Sequence, residues 1–504
     1  MSNMRGKNKN RQEYQNSKNA GQASIARAKV KRSRKVGIIL ANIQLIITFV
    51  FLGLLIMLNV LPFKYLIALV VVLLFFVGYA FLSQLTRHYR KLGKVLSVII
   101  SIVLVFGCNY LVQTRSMISD ISGKNTKKDE MSIVVLKEDP ADSINDTIDY
   151  MYGINEIIDR EKSNEVIDSI NKELDTKLKI QVYQGYDALV DALYSGDSQV
   201  IIINEAYREI IHETYPDFDE RTRTVGNYDV ETEIEPPKND KVDLTEEPFH
   251  VFISGIDTAG SISKTSRSDV NIIATINPNT HQVLLTTTPR DYYIPFPNSN
   301  GQRDKLTHAG IYGVDISIGA LEALYGIDID YYVRVNFTTL IDLVDALGGI
   351  SAYSEYTFNA GGYSFKKGYN DMDGKKALAF SRERKSFGAG DMQRGRNQME
   401  VIKGIINKAI SPSIIVNYTS VMNSIAGSFE TNMSNDNITR LIKMQIDEMA
   451  SWDIISNNVI GTPSSQVTFT QKRKASVVLP NEESVSEAKE KINAVINGMQ
   501  ITQE

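Results

Sequence analysis

The sequence predicts an α/β protein carried behind three transmembrane helices, with a small α/β unit followed by a longer one. Three observations carry that reading. Three apolar runs without a single charge fall within the first 113 of 504 residues, strand-like and helical patterns alternate from Met131, and a second alternation begins at Phe249. The apolar runs are Val36–Leu61, Tyr65–Ser83 and Val95–Gln113, of 26, 19 and 19 residues. A 19-residue helix is about 28 Å long, close to a hydrocarbon core of about 30 Å. Buried core helices are the alternative, but three in succession would leave no polar face for water.

Charge sets the expected orientation. The chain has 55 Lys+Arg and 59 Asp+Glu; residues 1–113 hold 16 of the bases and only one acid, Glu13, so a net +15 there leaves −19 beyond. A generally basic body that binds nucleic acid is not expected. Basic residues cluster at Lys29–Lys35 and at Arg87, Arg90, Lys91 and Lys94, whereas the loop between the first two runs has only Lys64. Positive charge stays inside, so the N-terminus is expected in the cytoplasm and residues 114–504 outside the cell membrane. The first run is too long for a signal peptide and lacks a small-residue cleavage site, which makes the anchor permanent. The arm, residues 1–35, reads as a disordered basic tail suited to anionic lipid or a cytosolic partner. A single Cys108 excludes a disulfide framework and a Cys-based zinc site within one chain.

The expected organisation is a tail (1–35), three spans (36–113), a linker (114–130), a small external α/β domain (131–225), a second linker (226–248), the main domain (249–478) and a helical tail (479–504). In the small domain, Met131–Leu136 and Lys179–Tyr183 are strand-like, and Ala141–Tyr152 and Ser163–Leu178 look helical. Tyr186–Tyr194 has helical spacing with Gly196 as its stop, and Gln199–Ile203 is a buried strand. The linker at 226–248 is acidic and broken by Pro236, Pro237 and Pro248.

The main domain opens with strands His250–Ser254, Val270–Ile276 and Val283–Thr288. Pro278-Asn279-Thr280 makes the second pair a tight antiparallel hairpin. Gly255–Asp269 lacks the periodicity of a crossover helix, so the first pair is expected antiparallel too. As neighbours, the three strands would collect Asp257, Arg267, Asp269, Arg290 and Asp291 at one sheet edge. Surface salt bridges would explain any one pair, but two more arginine groups weigh against that. Ser381-Arg382-Glu383-Arg384 follows a helix (Lys375–Phe380), with both Arg on one side only if the backbone is extended. After Gly388 and Gly390, Asp391 is a candidate N-cap for a helix carrying Arg394 and Gln398 four apart, with Val401, Ile402, Ile405 and Ile406 as its apolar stripe. Helices at Thr338–Leu347 and Ser484–Gly498 complete the pattern. Arginine forks at a helix N-terminus suit phosphate oxygens, and two facing carboxylates suit Mg²⁺. The five His show no metal-ligand spacing, and residues 254–260 match neither a P-loop nor a dinucleotide fingerprint.

These residues resemble the LytR-CpsA-Psr family, and its streptococcal-type capsule members in particular. The matching pieces are Gly255-Ile256-Asp257, Arg267-Ser268-Asp269, Pro289-Arg290-Asp291, Lys305-Leu306-Thr307-His308-Ala309, Leu347-Gly348-Gly349, Arg382-Glu383-Arg384, and Gly390-Asp391 followed by Arg394 and Gln398. With the basic tail, the spans and the accessory domain, the resemblance covers nearly the whole chain. It implies an α/β domain with a central mixed sheet flanked by helices. It further implies a Mg²⁺-dependent phosphotransferase of a Gram-positive cell wall, which moves a glycan phosphate, capsular polysaccharide here, from a polyprenyl-pyrophosphate carrier to peptidoglycan. By motif position, Asp257 and Asp269 hold the metal, while Arg267, Arg290, Arg382, Arg384, Arg394 and Gln398, with Lys305, contact the pyrophosphate. Asp391 is available as a general base, against a plainer role as N-cap or partner of Arg394. Where many members have Arg directly before the glutamine, this chain has Asn397 with Arg396 one place earlier, about 100° around the helix, so Arg396 does not inherit the role. Partners implied are the polyprenyl lipid, the glycan polymer, peptidoglycan, the membrane and capsule assembly proteins. A polyprenyl-pyrophosphate-binding pyrophosphatase and a regulatory membrane protein of capsule synthesis are the alternatives.

Overall fold

The computed structural model describes residues 2–86, 89–122, 126–233, 242–256, 266–388, 390–411 and 429–503. It divides into an anchor, Met1–Ser116 with Ile442–Asp447, and a body, Met117–Leu441 with Glu448–Glu504.

The anchor consists of α1 (Ser2–Leu58), α2 (Phe63–Leu82) and the greater part of α3 (Arg90–Ser122). Three stretches are long and apolar enough to cross a membrane, Lys29–Leu58, Phe63–Leu82 and Arg90–Arg115, in register with the three expected spans. Leu52, Leu73 and Leu104 bury one another, and Ser97 Oγ donates to the Leu40 carbonyl at 3.2 Å. Only about a fifth of each run is buried within the protein, which leaves the apolar remainder facing outward as in lipid. The N-terminal arm, expected to be disordered, continues α1 as helix from Ser2. It contains no proline and is rich in Lys, Arg, Gln and Ala, which lose little side-chain freedom in a helix.

The body's first sheet has the order β3-β2-β4-β1-β5, from β1 (Thr126–Leu136), β2 (Met151–Asn155), β3 (Lys179–Tyr183), β4 (Val200–Asn204) and β5 (Thr222–Glu233). β2 runs parallel to β3 and β4, and β1 lies antiparallel to β4 and β5. Its helices are α4 (Arg160–Glu173), α5 (Tyr186–Ser195), α6 (Arg208–Thr214) and α7 (Phe218–Arg221). Gly196 ends α5 in the left-handed region at φ 83°, as its position promised. Several expectations are corrected here. Ala141–Tyr152 is not a helix: Ser143 and Asp146 form a capping box on one short turn, Ile144–Thr147, and the chain then enters β2. Gly153 accounts for β2's fit, because a Cβ there would come within 2.8 Å of Leu189 on α5. The linker at 114–130 is consumed by α3, which runs to Ser122, and by β1 from Thr126. The first eight residues of the second linker, 226–248, are strand: β5 pairs along β1 as far as Glu233. Pro236 and Pro237 lie outside the described residues.

The second sheet has six strands in the order β16-β11-β6-β7-β8-β17. Its chain order is β6 (Phe249–Ile256), β7 (Ser268–Asn277), β8 (Gln282–Thr287), the short pair β9 (Tyr293–Pro295) and β10 (Arg303–Lys305), then α8 (Leu306–Tyr312), α9 (Val314–Tyr325), β11 (Tyr331–Asn336) and α10 (Phe337–Ala346). Two small hairpins follow, β12 (Ile350–Ser354) with β15 (Gly368–Met372), enclosing β13 (Phe358–Ala360) with β14 (Tyr363–Phe365). The rest is α11 (Gly374–Arg382), α12 (Gly390–Ala409), β16 (Glu430–Thr431), helix Asn435–Glu448, β17 (Asp453–Asn458), hairpin β18 (Gly461–Val467) and β19 (Lys474–Pro480), and helix Glu482–Ile496. β6, β7 and β8 are antiparallel neighbours as expected, and β11 and β17 add in parallel at the two sides, so the sheet is mixed.

Helices cover both faces. On one, α8, α9 and the C-terminal helix pack Leu306, Leu321 and Ile492 over Phe252, Ile273 and Leu284. On the other, Met399 and Ile402 of α12 lie over Ile272 and Leu285. The C-terminal helix, set apart as a tail by its sequence, is a layer of this core: Val485, Ala488, Ile492 and Val495 are buried, and Asn277 Nδ2 donates to the Val495 carbonyl at 2.7 Å. α10 and α11 touch through Gly374, where a Cβ would stand 2.3 Å from the Ile341 carbonyl.

Candidate functional site

One end of the second sheet gathers the chemistry. β6 and β11 finish there in register, Ile256 beside Asn336, β7 begins there, and β8 finishes there. The carboxyl ends of strands in open α/β sheets are the usual place for a ligand. Asp269 stands at the start of β7 and Arg290 just beyond β8. Arg290 Nη1 donates to Asp269 Oδ2 at 2.5 Å, and Thr307 Oγ1 donates to Asp269 Oδ1 at 2.9 Å. The Thr307 amide also donates to the Arg290 carbonyl at 2.7 Å, so the start of α8 fixes this arginine. Asp291 lies 3.7 Å from Arg290 Nε. The pairing of Arg290 with Asp269 is the convergence expected of neighbouring strands; Asp257 lies outside the described residues.

Behind this group is a buried pair that sequence reasoning passed over. Asp304 Oδ1 and His308 Nδ1 are 2.8 Å apart with neither side chain exposed, and Asp304 Oδ2 accepts from the Thr470 amide at 2.6 Å. Burial pushes the Asp304 carboxyl up, but His308 and the bonds from Thr470 outweigh it and hold the group below the ordinary carboxylate range. The pair fixes the β10–α8 junction, and therefore Lys305 and Thr307. The signal was present as Asp304 and His308 at i,i+4, but a helix beginning at Leu306 was not foreseen.

The remaining arginines come from α11 and α12. Arg382 is the last residue of α11, its guanidinium 4.2 Å from the centre of the Phe337 ring, and Phe337 directly follows β11. Glu383 is extended at φ −69°, ψ 128°, the backbone required for Arg382 and Arg384 to share a side, and both are exposed. α12 starts at Gly390, so Asp391 lies within its first turn rather than at the N-cap; its side chain is outside the described residues. Arg394 and Gln398 are half-buried on α12, and Gly395 beside them faces Thr287 at the end of β8. Arg396 points elsewhere: Nε is 3.3 Å from Glu355 and 2.9 Å from the Gln393 side-chain oxygen. Asn397 is buried and donates to the Phe380 carbonyl at 3.2 Å, clamping α12 to α11. An arginine at that position would have no room for its charge.

Arg267 departs from expectation. Its guanidinium is directed at α6, with Nη1 donating to Glu213 at 3.0 Å and Nη2 to Glu209. Lys305 Nζ lies 3.5 Å from the same Glu213. The two glutamates gave no local signal, because their partners are more than 50 positions away.

Among the described residues no cluster of three or more His, Cys, Asp or Glu could hold a metal unaided. Mg²⁺ is usually bound by one or two carboxylates together with substrate phosphates. Asp269 fits that mode: a carboxylate has about four acceptor positions, and Asp269 accepts here from Arg290 and Thr307.

A protein-family model, the LytR_cpsA_psr family, matches residues 219–493. The chain is 35% identical over 212 residues to the polyisoprenyl-teichoic acid–peptidoglycan teichoic acid transferase TagU of Enterococcus faecalis, covering 41% of this chain and 69% of the relative. It is 34% identical over 217 residues to the TagU of Bacillus licheniformis, covering 43% and 70%. Among solved structures, that of B. subtilis TagU is 29% identical and covers 51% of this chain and 100% of that one, with a TM-score of 0.40.

Proposed function

The chain belongs to the LytR-CpsA-Psr family, and from that premise we propose that its body transfers a glycan phosphate, that of a capsular polysaccharide, from a polyprenyl diphosphate to peptidoglycan. The observation that carries the reading is Arg290, fixed by Asp269 and Thr307, at the same sheet end as Arg382 and the helix bearing Arg394 and Gln398. Guanidinium groups brought by several elements to one sheet end fit a ligand with two adjacent phosphates. In the transfer, a hydroxyl oxygen of the wall glycan bonds to the sugar-side phosphorus as its bond to the bridging oxygen breaks. Polyprenyl phosphate leaves with that oxygen, and the hydroxyl proton passes to a base. Arg290, Arg382, Arg384 and Arg394, with Gln398, orient the diphosphate and offset its growing charge. Mg²⁺ held by Asp269 and Asp257 would supply further neutralisation when bound.

The test gives the purified full chain a labelled lipid-linked glycan, Mg²⁺ and peptidoglycan fragments. Label is expected on the peptidoglycan, and Arg382→Lys, which keeps the charge but loses the planar fork stacked on Phe337, should slow transfer by about tenfold or more. Label released only as free glycan phosphate would identify a pyrophosphatase instead.

The proposed topology places the N-terminus in the cytoplasm and the body outside, beside the membrane-held lipid. Protease added to intact wall-less cells should then digest residues beyond about 120; full protection of the body would reverse the orientation and remove the wall as acceptor.

A further inference from the structure

Helix α6 of the first sheet directs two carboxylates, one turn apart, into the second sheet's domain. Arg267 divides its fork between them, and Glu213 receives two more groups: Lys305 Nζ at 3.5 Å and Gln471 Nε2, which donates at 2.8 Å. Three donors from separate segments, the lead into β7, the end of β10 and the turn between β18 and β19, thus converge on one carboxylate. Two cations and an amide N–H arranged around one point form an oxyanion cradle, as suitable for phosphate as for carboxylate. Burial opposes the charge on Glu213, but Lys305, Gln471, His308 and Arg267 outweigh it and hold the group below the usual carboxylate range.

The contact is not required to join the two parts. Ile311 and Tyr312 of α8 already pack against Tyr207 and Ile210, the Tyr312 and Tyr207 rings meet edge to face with centres 6.0 Å apart, and Arg473 Nη2 reaches Asp187 at 2.8 Å. Exposure separates the cradle from its occupant. The side chains of Lys305 and Arg267 are 7% and 16% exposed, whereas those of Glu213 and Glu209 are 36% and 60% exposed; both glutamates and Arg267 border an open cleft of about 590 Å³. The cations are fixed, and the carboxylates have solvent to turn into.

We propose that Glu213, assisted by Glu209, is an internal anion that fills the cradle of Arg267, Lys305 and Gln471 and competes there with the diphosphate of the lipid donor. The proposal rests on the diphosphate reading of the site. Two carboxylates give way to a diphosphate diester of equal charge, so the cations are never left bare. When the product leaves, the carboxylates return.

Binding of inorganic pyrophosphate with Mg²⁺ to the detergent-solubilised full chain, measured by calorimetry, tests this. Glutamine keeps the length of glutamate without its charge, so Glu209→Gln/Glu213→Gln should bind pyrophosphate about tenfold more tightly than the wild type. Glu213→Asp, which retains the charge on a shorter arm, should give a smaller gain and covers the case in which the double variant fails to fold. Equal or weaker binding by folded variants overturns the proposal, weaker binding meaning that the carboxylates hold Arg267 in place for the ligand. If Arg290→Lys weakens pyrophosphate binding while the glutamate variants leave it unchanged, the competition alone is removed. If neither the wild type nor any variant binds, the diphosphate reading is removed with it.

Discussion

Asp269→Asn is expected to lower transfer by about two to three orders of magnitude while the domain remains folded. The Asp269 carboxylate accepts from Arg290 on one oxygen and Thr307 on the other. An amide can still accept from one of them, but its NH₂ group then faces the other donor. Arg290 loses the contact that aims it, and a metal loses the one ligand placed by the described residues. Stability should change far less, by about 1–3 kcal/mol, the cost of an impaired charge-assisted bond near the surface. Initial rates across a Mg²⁺ titration, with an apparent melting temperature for each protein, separate the two effects. A folded variant with a rate within about threefold of wild type and the same Mg²⁺ dependence would make Asp269 a structural residue.

The second large effect is on stability. Asp304→Ala removes the acceptor of three buried groups, His308 Nδ1 and the amides of Lys305 and Thr470. Stranding these buried donors costs about 3–5 kcal/mol, or roughly 10 °C in the apparent melting temperature of a domain of this size. The pH dependence has a definite sign. Because the folded-state pKa of Asp304 is depressed, its stabilisation is present above the unfolded value of about 3.9 and is lost as pH falls through the folded value. The gap in melting temperature between wild type and variant should therefore be widest near neutral pH and narrow below about pH 4. A gap that is constant down to pH 3, or absent at neutral pH, would show that the pair contributes nothing through its charge.

What the sequence made legible depended on how local the cause was. The three long apolar helices were plain because each is an uninterrupted apolar run of the length a bilayer demands. Gly196 and the Pro278 turn were equally plain, since each is required by the backbone at its own position. The β6-β7-β8 order followed from a hairpin and a connection without a helix, and from that order came the meeting of Arg290 with Asp269. β5 was hidden because it is an edge strand. Its polar, charged sequence is held by main-chain bonds to β1 and offers little hydrophobic alternation. The first two residues of β2 fall inside the helix expected over Ala141–Tyr152; what admits α5 beside the strand is the missing side chain of Gly153. The engagement of Arg267 by α6 and the clamp made by Asn397 were illegible for a different reason. Each joins elements through side chains whose partners only tertiary structure selects.

The placement of the last helix governs when this domain can exist at all. Val485, Ala488, Ile492 and Val495 close one face of a sheet whose first strand begins at Phe249, so nearly 250 residues of chain separate the two halves of one hydrophobic layer. Until residue 495 has been synthesised, Phe252, Ile273 and Leu284 lack part of their cover and the sheet cannot complete its burial. A chain still emerging from the ribosome is consequently kept from its finished shape by its own topology. For a body proposed to lie outside the membrane, that delay serves export: the residues that would lock the domain shut follow the strands they cover by roughly 200 residues of chain.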